Sequence, residues 1–267
     1  MLLLSDPVAE ADSPHPRIHS LSQIYLYPQP FQRLLKISIT KVRRNCLVKV
    51  ILLSHPITSS TPLYPGTPPV ELSQLRNIER GDSSNLWRIA MANHTGTHVD
   101  APNHFYSQGR KISEYTLEEL VFRQVKVFEI FKEPGGEVSA GDLEPFKETM
   151  RESEMILIRT GLERFRRLDP AAYAEKGVLF SPSAAHLLRE AAPRLRGLGI
   201  DAISVSTPLR RAEGRETHRI LLSDNRFLIV EDMALEGKPT VFSYVIVAPL
   251  LVAEVDSAPC TVIGITE

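Results

Sequence analysis

Short apolar runs of strand length recur along most of the chain and predict a protein built mainly of β-strands. One helix is predicted over Ala184–Leu195, because Ser181 and Pro182 suit an N-cap and a first helical residue, and Pro193 would kink or end it. Strands outnumber helices without regular alternation, which favours an α/β fold with a mixed, barrel-like sheet and flanking helices. The predicted strands are Val48–Leu53, Leu86–Ala92, Val125–Ile130, Met155–Thr160, Ile200–Ser206, Phe227–Val230, Val241–Val247 and Val262–Ile265.

The first 47 residues differ from the rest of the chain. They mix prolines with aromatic residues without a clear period, and six basic but no acidic residues lie between Gln32 and Val50. A basic tail that contacts an anionic partner is one interpretation, and a poorly ordered extension is the one we favour. We therefore predict an N-terminal extension over residues 1–47 and a single domain over residues 48–267.

Composition narrows the class of protein. The 267 residues carry 31 Lys and Arg against 32 Asp and Glu, which argues against a nucleic-acid binder. The longest apolar stretch, Tyr244–Ala253, is interrupted by Pro249 and is shorter than the ~20 residues that a membrane-spanning helix needs. Two cysteines, Cys46 and Cys260, cannot form a disulfide scaffold and fit a reducing compartment. We expect a cytoplasmic protein with no membrane partner.

Three histidines and an aspartate cluster within eleven residues, at positions 94, 98, 100 and 104. Glycine, β-branched residues and proline between them oppose a helix. In an extended chain all four side chains point to one side, but His94 and His104 would then lie about 33 Å apart. They converge only if the chain bends, and we expect the bends at Gly96 and Pro102.

Imidazole and carboxylate side chains together suit divalent zinc or manganese. His94, His98 and Asp100 are therefore predicted metal ligands, and Asp100 could bridge a second ion. The alternative is a set of hydrogen-bonded loop histidines without a metal.

A second pair of candidate ligands is His218 and Glu231. A carboxylate at the end of a buried strand, such as that of Glu231, is costly unless it is paired or binds a cation. By spacing alone the evidence for this pair is weak, and the alternative is that it caps a helix at the surface.

The segment from His94 to His104 matches the signature H-x-G-T-H-x-D-x-P-x-H at every fixed position. In this the chain resembles the cyclase-like metal hydrolases, the family of the bacterial-type kynurenine formamidases (arylformamidases) and isatin hydrolases. The resemblance extends from about Val50 to Ile265 and includes the segments Leu53–Ile57, Tyr64–Gly66, Arg159–Gly161, His218–Leu222, Glu231 and Asp256–Pro259.

The resemblance implies a swivelling β/β/α-type fold that assembles as a homodimer or homotetramer. It also implies two divalent metal ions, usually Zn²⁺, with Mn²⁺ as the alternative. The first ion would be held by His94, His98 and Asp100, and the second by Asp100, His218 and Glu231. His104 would transfer protons, and Tyr64 would lie on the substrate loop. Two departures are that the kynurenine formamidases carry Trp where this chain has Tyr64, and that one extra residue separates His218 from Glu231.

The implied activity is hydrolysis of a small aryl formamide such as N-formylkynurenine, giving kynurenine and formate. A divalent cation lowers the pKa of bound water from about 15.7 towards 7, and the resulting hydroxide can attack an amide carbonyl. Histidine can gain or lose a proton near neutral pH, so His104 can pass the proton to the leaving nitrogen. The alternative substrate for the same metal-dependent reaction is a related cyclic amide or lactone, as in isatin hydrolysis. A non-catalytic metal-binding protein of the same fold is the rival from another class, and the fourth motif histidine, His104, argues against it.

Overall fold

A computed structural model describes residues 48–266, so the predicted extension over residues 1–47 lies outside the described residues. The strands are β1 Lys49–Leu52, β2 Glu71–Arg76, β3 Leu86–Ala90, β4 His98–Asp100, β5 Val121–Glu129, β6 Gly136–Val138, β7 Met155–Arg159, β8 Val178–Phe180, β9 Gly197–Ile200, β10 Leu228–Glu231, β11 Val241–Pro249 and β12 Ser257–Thr266. The α-helices are α1 Ala140–Leu143, α2 Lys147–Arg151, α3 Glu163–Leu168, α4 Pro170–Glu175, α5 Pro182–Ala191 and α6 Arg211–Leu221.

Seven strands close into a barrel. Their order is β12-β11-β5-β7-β9-β10-β4, and β4 pairs back onto β12 to complete the ring. The pairings from β5 through β7 and β9 to β10 are parallel, and the others in the ring are antiparallel. β1 adds to β12 outside the ring. The predicted mixed α/β fold with a barrel-like sheet and flanking helices is thus confirmed.

The apolar core has two parts, one inside the barrel and one between the barrel and the helices, and alternating side chains of the strands contribute to each. Met155 and Leu157 of β7 pack inside the barrel, whereas Ile156 and Ile158 pack in the core between the barrel and the helices. This follows from the two-residue period of a strand, which sends neighbouring side chains to opposite faces. The parallel strands are covered on both faces, as continuous aliphatic runs require.

The predicted strands are confirmed with shifted ends, except for Ile200–Ser206. β9 ends at Ile200, and residues 201–206 form no strand, so that prediction is wrong. One reason is that backbone N–H groups near the end of this segment donate to side chains and not to a neighbouring strand. Val205 N donates to Glu231 Oε1 at 2.7 Å, and Ser206 N donates to Ser204 Oγ at 3.0 Å.

The helix predicted at Ser181 is α5, and its start is confirmed. Ser181 Oγ accepts a hydrogen bond from Ala184 N at 3.2 Å. The helix ends at Ala191 and not at Leu195, because Ala192 precedes Pro193 and the residue before a proline is disfavoured in helical backbone. None of the helices within residues 48–266 is long and apolar enough to cross a membrane.

Helix α6 is absent from the sequence prediction. Its buried positions are Gly214, Thr217, His218 and Leu221, which have helical spacing although only the last is strongly apolar. The segment Arg211–Leu221 is mostly polar, so no apolar run marks it, although its less polar residues recur at helical spacing. The helix still packs against α5, with Leu221 in the core on the outer face of the barrel.

Strands β2 and β3 form a separate hairpin with one apolar face. Leu72 lies opposite Ile89, and Gln74 lies opposite Trp87, so these four side chains share a face. Three of them are large and apolar, and all three are exposed: Leu72 to 42%, Trp87 to 52% and Ile89 to 61%. In the described part of the chain, this face has no cover.

Candidate metal centre

Strand β4 places two of the predicted ligands. It lies between β10 and β12, where His98 is the cross-strand partner of Glu231. Val99 and Val230 pack inside the barrel. Because side chains alternate along a strand, His98, Asp100 and Glu231 point to the outer face, where α6 lies. The barrel wall thus supplies three of the five predicted ligands, α6 supplies His218, and His94 lies in the segment before β4.

The chain bends on both sides of β4, at the two predicted positions. Gly96 has a φ of +63°, and Pro102–His104 forms a single turn of 3₁₀ helix. These bends bring the rings of His94 and His104 to a centroid distance of 4.2 Å, although the residues are ten positions apart. The prediction that bends at Gly96 and Pro102 draw the motif together is confirmed.

Backbone carbonyls fix the orientation of the two buried histidines. His98 Nδ1 lies 2.8 Å from Gly96 O, and His218 Nδ1 lies 2.7 Å from Gly214 O. Since a carbonyl oxygen only accepts, both Nδ1 atoms donate, and the Nε2 lone pairs of the neutral rings face the site. A histidine whose second nitrogen donates to a carbonyl is the usual arrangement of a metal ligand.

Both Nε2 atoms face carboxylates. His98 Nε2 lies 3.3 Å from Glu231 Oε2 and 3.5 Å from Asp100 Oδ1. His218 Nε2 lies 3.4 Å from Glu231 Oε1 and 3.9 Å from Asp100 Oδ2. Glu231 is further oriented by hydrogen bonds to Oε1 from Ser204 Oγ at 2.8 Å and from Val205 N. The two carboxylates therefore lie between the two imidazoles, in position to share ions.

The buried polar atoms at the centre of this cluster are unsatisfied. Within the described residues, both carboxylate oxygens of Asp100 and the Nε2 of His98 have no hydrogen-bond partner. His94 Nδ1 comes within 3.0 Å of Asp100 Oδ1 but is not aligned for a hydrogen bond. A fully buried carboxylate without a partner is strongly unfavourable, and a coordinated cation removes that cost. The donor set of imidazole and carboxylate fits a divalent metal ion.

Charge is concentrated at the cluster. Burial opposes the charged form of His94, but Asp100 and Asp256 outweigh it and raise the pKa of His94 to about 10. Burial likewise acts to raise the pKa of Glu231, but the neighbouring imidazoles of His218 and His98 lower it to about 2. The pKa of Asp100 is held well below its ordinary value against the effect of burial, chiefly by His94 and His104. The carboxylates at the centre are thus ionised, as metal ligands must be.

Asp256 is a site residue to which the sequence assigned no role. Its Oδ2 lies 2.6 Å from His104 Nδ1 and 3.1 Å from His94 Nε2, and its Oδ1 accepts from Asn93 Nδ2 at 2.7 Å. Asp256 begins the segment Asp256–Pro259, which belongs to the family resemblance, so a motif signal was present. Only the fold shows that this carboxylate orients His104.

All the predicted ligands are brought together. Donor atoms lie within 4.8 Å of one another in each of three groups: His94, His98 and Asp100; Asp100, His104 and His218; and His94, His104 and Asp256. His104 therefore lies within reach of the ligands, although the resemblance gives it proton transfer. The assignment of each residue to an ion or to proton transfer stays a prediction.

A cavity of about 340 Å³ opens beside the ligands. Tyr64, which the resemblance assigns to the substrate loop, lines it, and its contact with a substrate stays a prediction. Phe105 also lines it and stacks on His218, with ring centroids 4.8 Å apart. Sequence reasoning missed Phe105 and two lining arginines, Arg211 and Arg215, because aromatic and basic residues carry no motif signal outside a known fold.

Comparisons with known proteins agree with this architecture. The model of the putative cyclase family matches residues 51–207, which include the motif from His94 to His104. An uncharacterized protein of Haemophilus influenzae is 32% identical over 108 residues, which are 40% of this chain and 76% of that protein.

Two solved structures share the fold. Isatin hydrolase A from Labrenzia aggregata superposes with a TM-score of 0.71 at 21% identity, over 82% of this chain and 94% of that one. A predicted metal-dependent hydrolase from Bacillus stearothermophilus superposes with a TM-score of 0.66 at 26% identity, over 82% and 99%. Since the family model covers more than half of its length, this chain belongs to the putative cyclase family.

Proposed function

We propose that this protein is a metal-dependent hydrolase of aryl formamides such as N-formylkynurenine, releasing kynurenine and formate. The observation that carries the proposal is the unsatisfied, fully buried carboxylate of Asp100 between His98 and His218, beside an open cavity. The likeness to a predicted metal-dependent hydrolase at 26% identity supports the same class of reaction.

Five residues would hold two divalent ions, with Zn²⁺ as the first choice and Mn²⁺ as the alternative. His94, His98 and Asp100 would bind one, and Asp100, His218 and Glu231 the other. Such ions, when bound, lower the pKa of water and polarise a carbonyl oxygen. The buried carboxylates would provide the negative charge to hold these ions.

His104 would supply the proton that the leaving nitrogen needs. Its Nδ1 donates to Asp256, which leaves Nε2 available to hold or release a proton in the cavity. The side chain is 27% exposed, against 4% for His98, so it can meet both substrate and solvent. Asp256 holds the ring in one orientation and one tautomer, as the carboxylate does in other acid–base pairs.

The cavity suits a small aromatic substrate. Its volume of about 340 Å³ lies at the lower end of the range for small-molecule sites. Tyr64 and Phe105 provide aromatic surface, which favours stacking or edge contacts with an aryl ring. An aryl formamide could place its carbonyl at the ligand cluster and its ring against these side chains.

A cyclic amide, as in isatin, is the second candidate. The likeness to isatin hydrolase A, with a TM-score of 0.71, favours it. The reaction would open the ring at the same carbonyl, and His104 would protonate a nitrogen that stays attached to the product.

A substrate panel tests both candidates. Protein loaded with Zn²⁺ or Mn²⁺ is assayed with N-formylkynurenine, isatin and simple aryl formamides. We expect N-formylkynurenine to give the highest kcat/KM, and a preference for isatin would establish the second candidate instead. Inactivity towards the whole panel with metal bound would overturn the hydrolase proposal.

A further inference from the structure

Two arginines in the cavity have no acidic partner. Arg211 and Arg215 both line the cavity and are both exposed. Within residues 48–266, no carboxylate oxygen lies within 4.0 Å of either guanidinium. The preceding residue is different, because Arg210 forms ion pairs with Glu137 and Glu213. The charges of Arg211 and Arg215 are therefore available to a ligand.

Helix α6 aligns these arginines with a predicted metal ligand. Arg215 and Arg211 precede His218 by three and seven residues, so the three side chains lie within about 60° of one another around the helix. Along the axis, the arginines are about 4.5 and 10.5 Å from His218 at a rise of ~1.5 Å per residue. A substrate held at the ligand cluster would therefore extend past both guanidinium groups.

The acidic groups of the cavity are already committed. Asp100 and Glu231 face the histidines at its base. Asp232 accepts from Arg166 Nε at 2.8 Å and Nη2 at 3.1 Å, and from Tyr173 Oη at 2.6 Å. Apart from the predicted ligand carboxylates at its base, the charged groups among the described lining residues that have no partner are thus the two arginines. They favour a ligand that carries a negative charge.

We propose that Arg211 and Arg215 bind a carboxylate of the substrate, so that the enzyme selects anionic aryl amides over neutral or cationic ones. This inference rests on the proposed hydrolase function. A guanidinium group donates two parallel hydrogen bonds to a carboxylate, which gives both affinity and orientation. Arg211 Cζ also lies 5.9 Å from the ring centroid of Tyr64, so the charged and aromatic surfaces of the cavity adjoin. A substrate with an aryl ring and a carboxylate would contact both.

A matched pair of substrates isolates the carboxylate. N-formylkynurenine and N-formylkynuramine share the formamide, the ring and the amine, and only the first has a carboxylate. In the wild type we expect the higher kcat/KM with N-formylkynurenine. The double variant Arg211→Gln/Arg215→Gln should lose roughly tenfold or more with N-formylkynurenine, through KM, since each lost charge-assisted bond is worth at least that factor. N-formylkynuramine should be hydrolysed as well as before or better.

The controls separate this inference from the function on which it rests. Arg151→Gln, which removes an exposed arginine on α2 away from the cavity lining, should behave as wild type. Arg215→Lys should lose part of the preference, because the charge stays and the paired donors go. An unchanged preference in the double variant, or equal losses for both substrates, would overturn the inference.

If the wild type hydrolyses neither substrate, a binding measurement still tests the carboxylate site. The proposed function would then fail, and calorimetry with kynurenine and kynuramine on the metal-loaded protein would test the arginines directly. Tighter binding of kynurenine that falls about tenfold in the double variant would support the carboxylate site. Equal affinities for the two ligands would overturn it.

Discussion

At the scale of single residues, the partner of each histidine's second nitrogen decides what that histidine can do. His98 and His218 donate to backbone carbonyls, which direct their Nε2 atoms towards Asp100 and Glu231. His104 donates to the carboxylate of Asp256. A carbonyl fixes a ligand in place, whereas a carboxylate also stabilises the protonated ring and suits a residue that exchanges a proton.

Two substitutions separate the metal ligands from the proton-transfer residue. His104→Ala should keep its metal and lose about 10²–10⁴-fold in kcat, the usual contribution of a general acid or base. Asp100→Ala should lose the metal, because the carboxylate at the centre of the ligand cluster is gone. Metal content by mass spectrometry and kcat are measured on both variants. Full activity in His104→Ala would show that the roles are wrongly assigned.

Asp256 is predicted to position His104 without binding metal. Asp256→Asn preserves the size of the side chain but removes its charge, and we expect a 10- to 100-fold loss in kcat with metal content unchanged. Because the donor atoms of His94, His104 and Asp256 lie within 4.8 Å of one another, a different outcome is informative. Loss of a metal ion from Asp256→Asn would make Asp256 a ligand and contradict this role.

At the scale of elements, the close approach of α6 to the segment after β9 sets the position of His218. Gly214 lies where a Cβ would overlap the side chain of Ser206. Gly214→Ala should therefore push α6 outwards, destabilise the protein by about 1–3 kcal/mol and weaken the ion held by His218. Metal stoichiometry and thermal unfolding are measured.

The matched control for that variant is Gly141→Ala. Its Cβ would meet only Ser139 Oγ, at an ordinary distance of 3.7 Å. It should retain both ions and at least the wild-type stability, because alanine is the better helix former. Full metal content in Gly214→Ala would show that α6 tolerates the shift and that His218 is not tightly placed.

The β2–β3 hairpin is the element that we expect to join copies of the chain. Leu72, Trp87 and Ile89 form an exposed apolar face, whereas Arg88 lies on the opposite face beside Ser73. A two-fold interface needs a self-complementary patch, and this face supplies one for the expected homodimer or homotetramer. Ile89→Glu should shift the mass measured by light scattering towards the monomer, while Arg88→Glu should not. A monomeric wild type would contradict this prediction.

At the scale of the whole molecule, the sequence predicted features set by neighbouring residues, such as the bends of the motif. It did not predict contacts that form only when the barrel closes. Gly96 and Pro102 marked the bends of the motif because glycine and proline have backbone preferences of their own. Asp256 meets His104 across 152 residues only because β4 pairs with β12, which no local pattern reveals. Helix α6 was missed because the segment is mostly polar and its buried face has a single strongly apolar residue, Leu221. The strand predicted over Ile200–Ser206 ends at Ile200, and further along the segment the backbone N–H of Val205 donates to Glu231.

The central claim is that this barrel hydrolyses amides through divalent metal held at the cluster around Asp100. The most direct test is a metal titration of chelator-treated protein, with formate release from N-formylkynurenine followed at each step. We predict that activity is absent from the metal-free protein and rises in proportion to bound Zn²⁺ or Mn²⁺. Undiminished hydrolysis without metal, or no formate release at full metal occupancy, would contradict the claim.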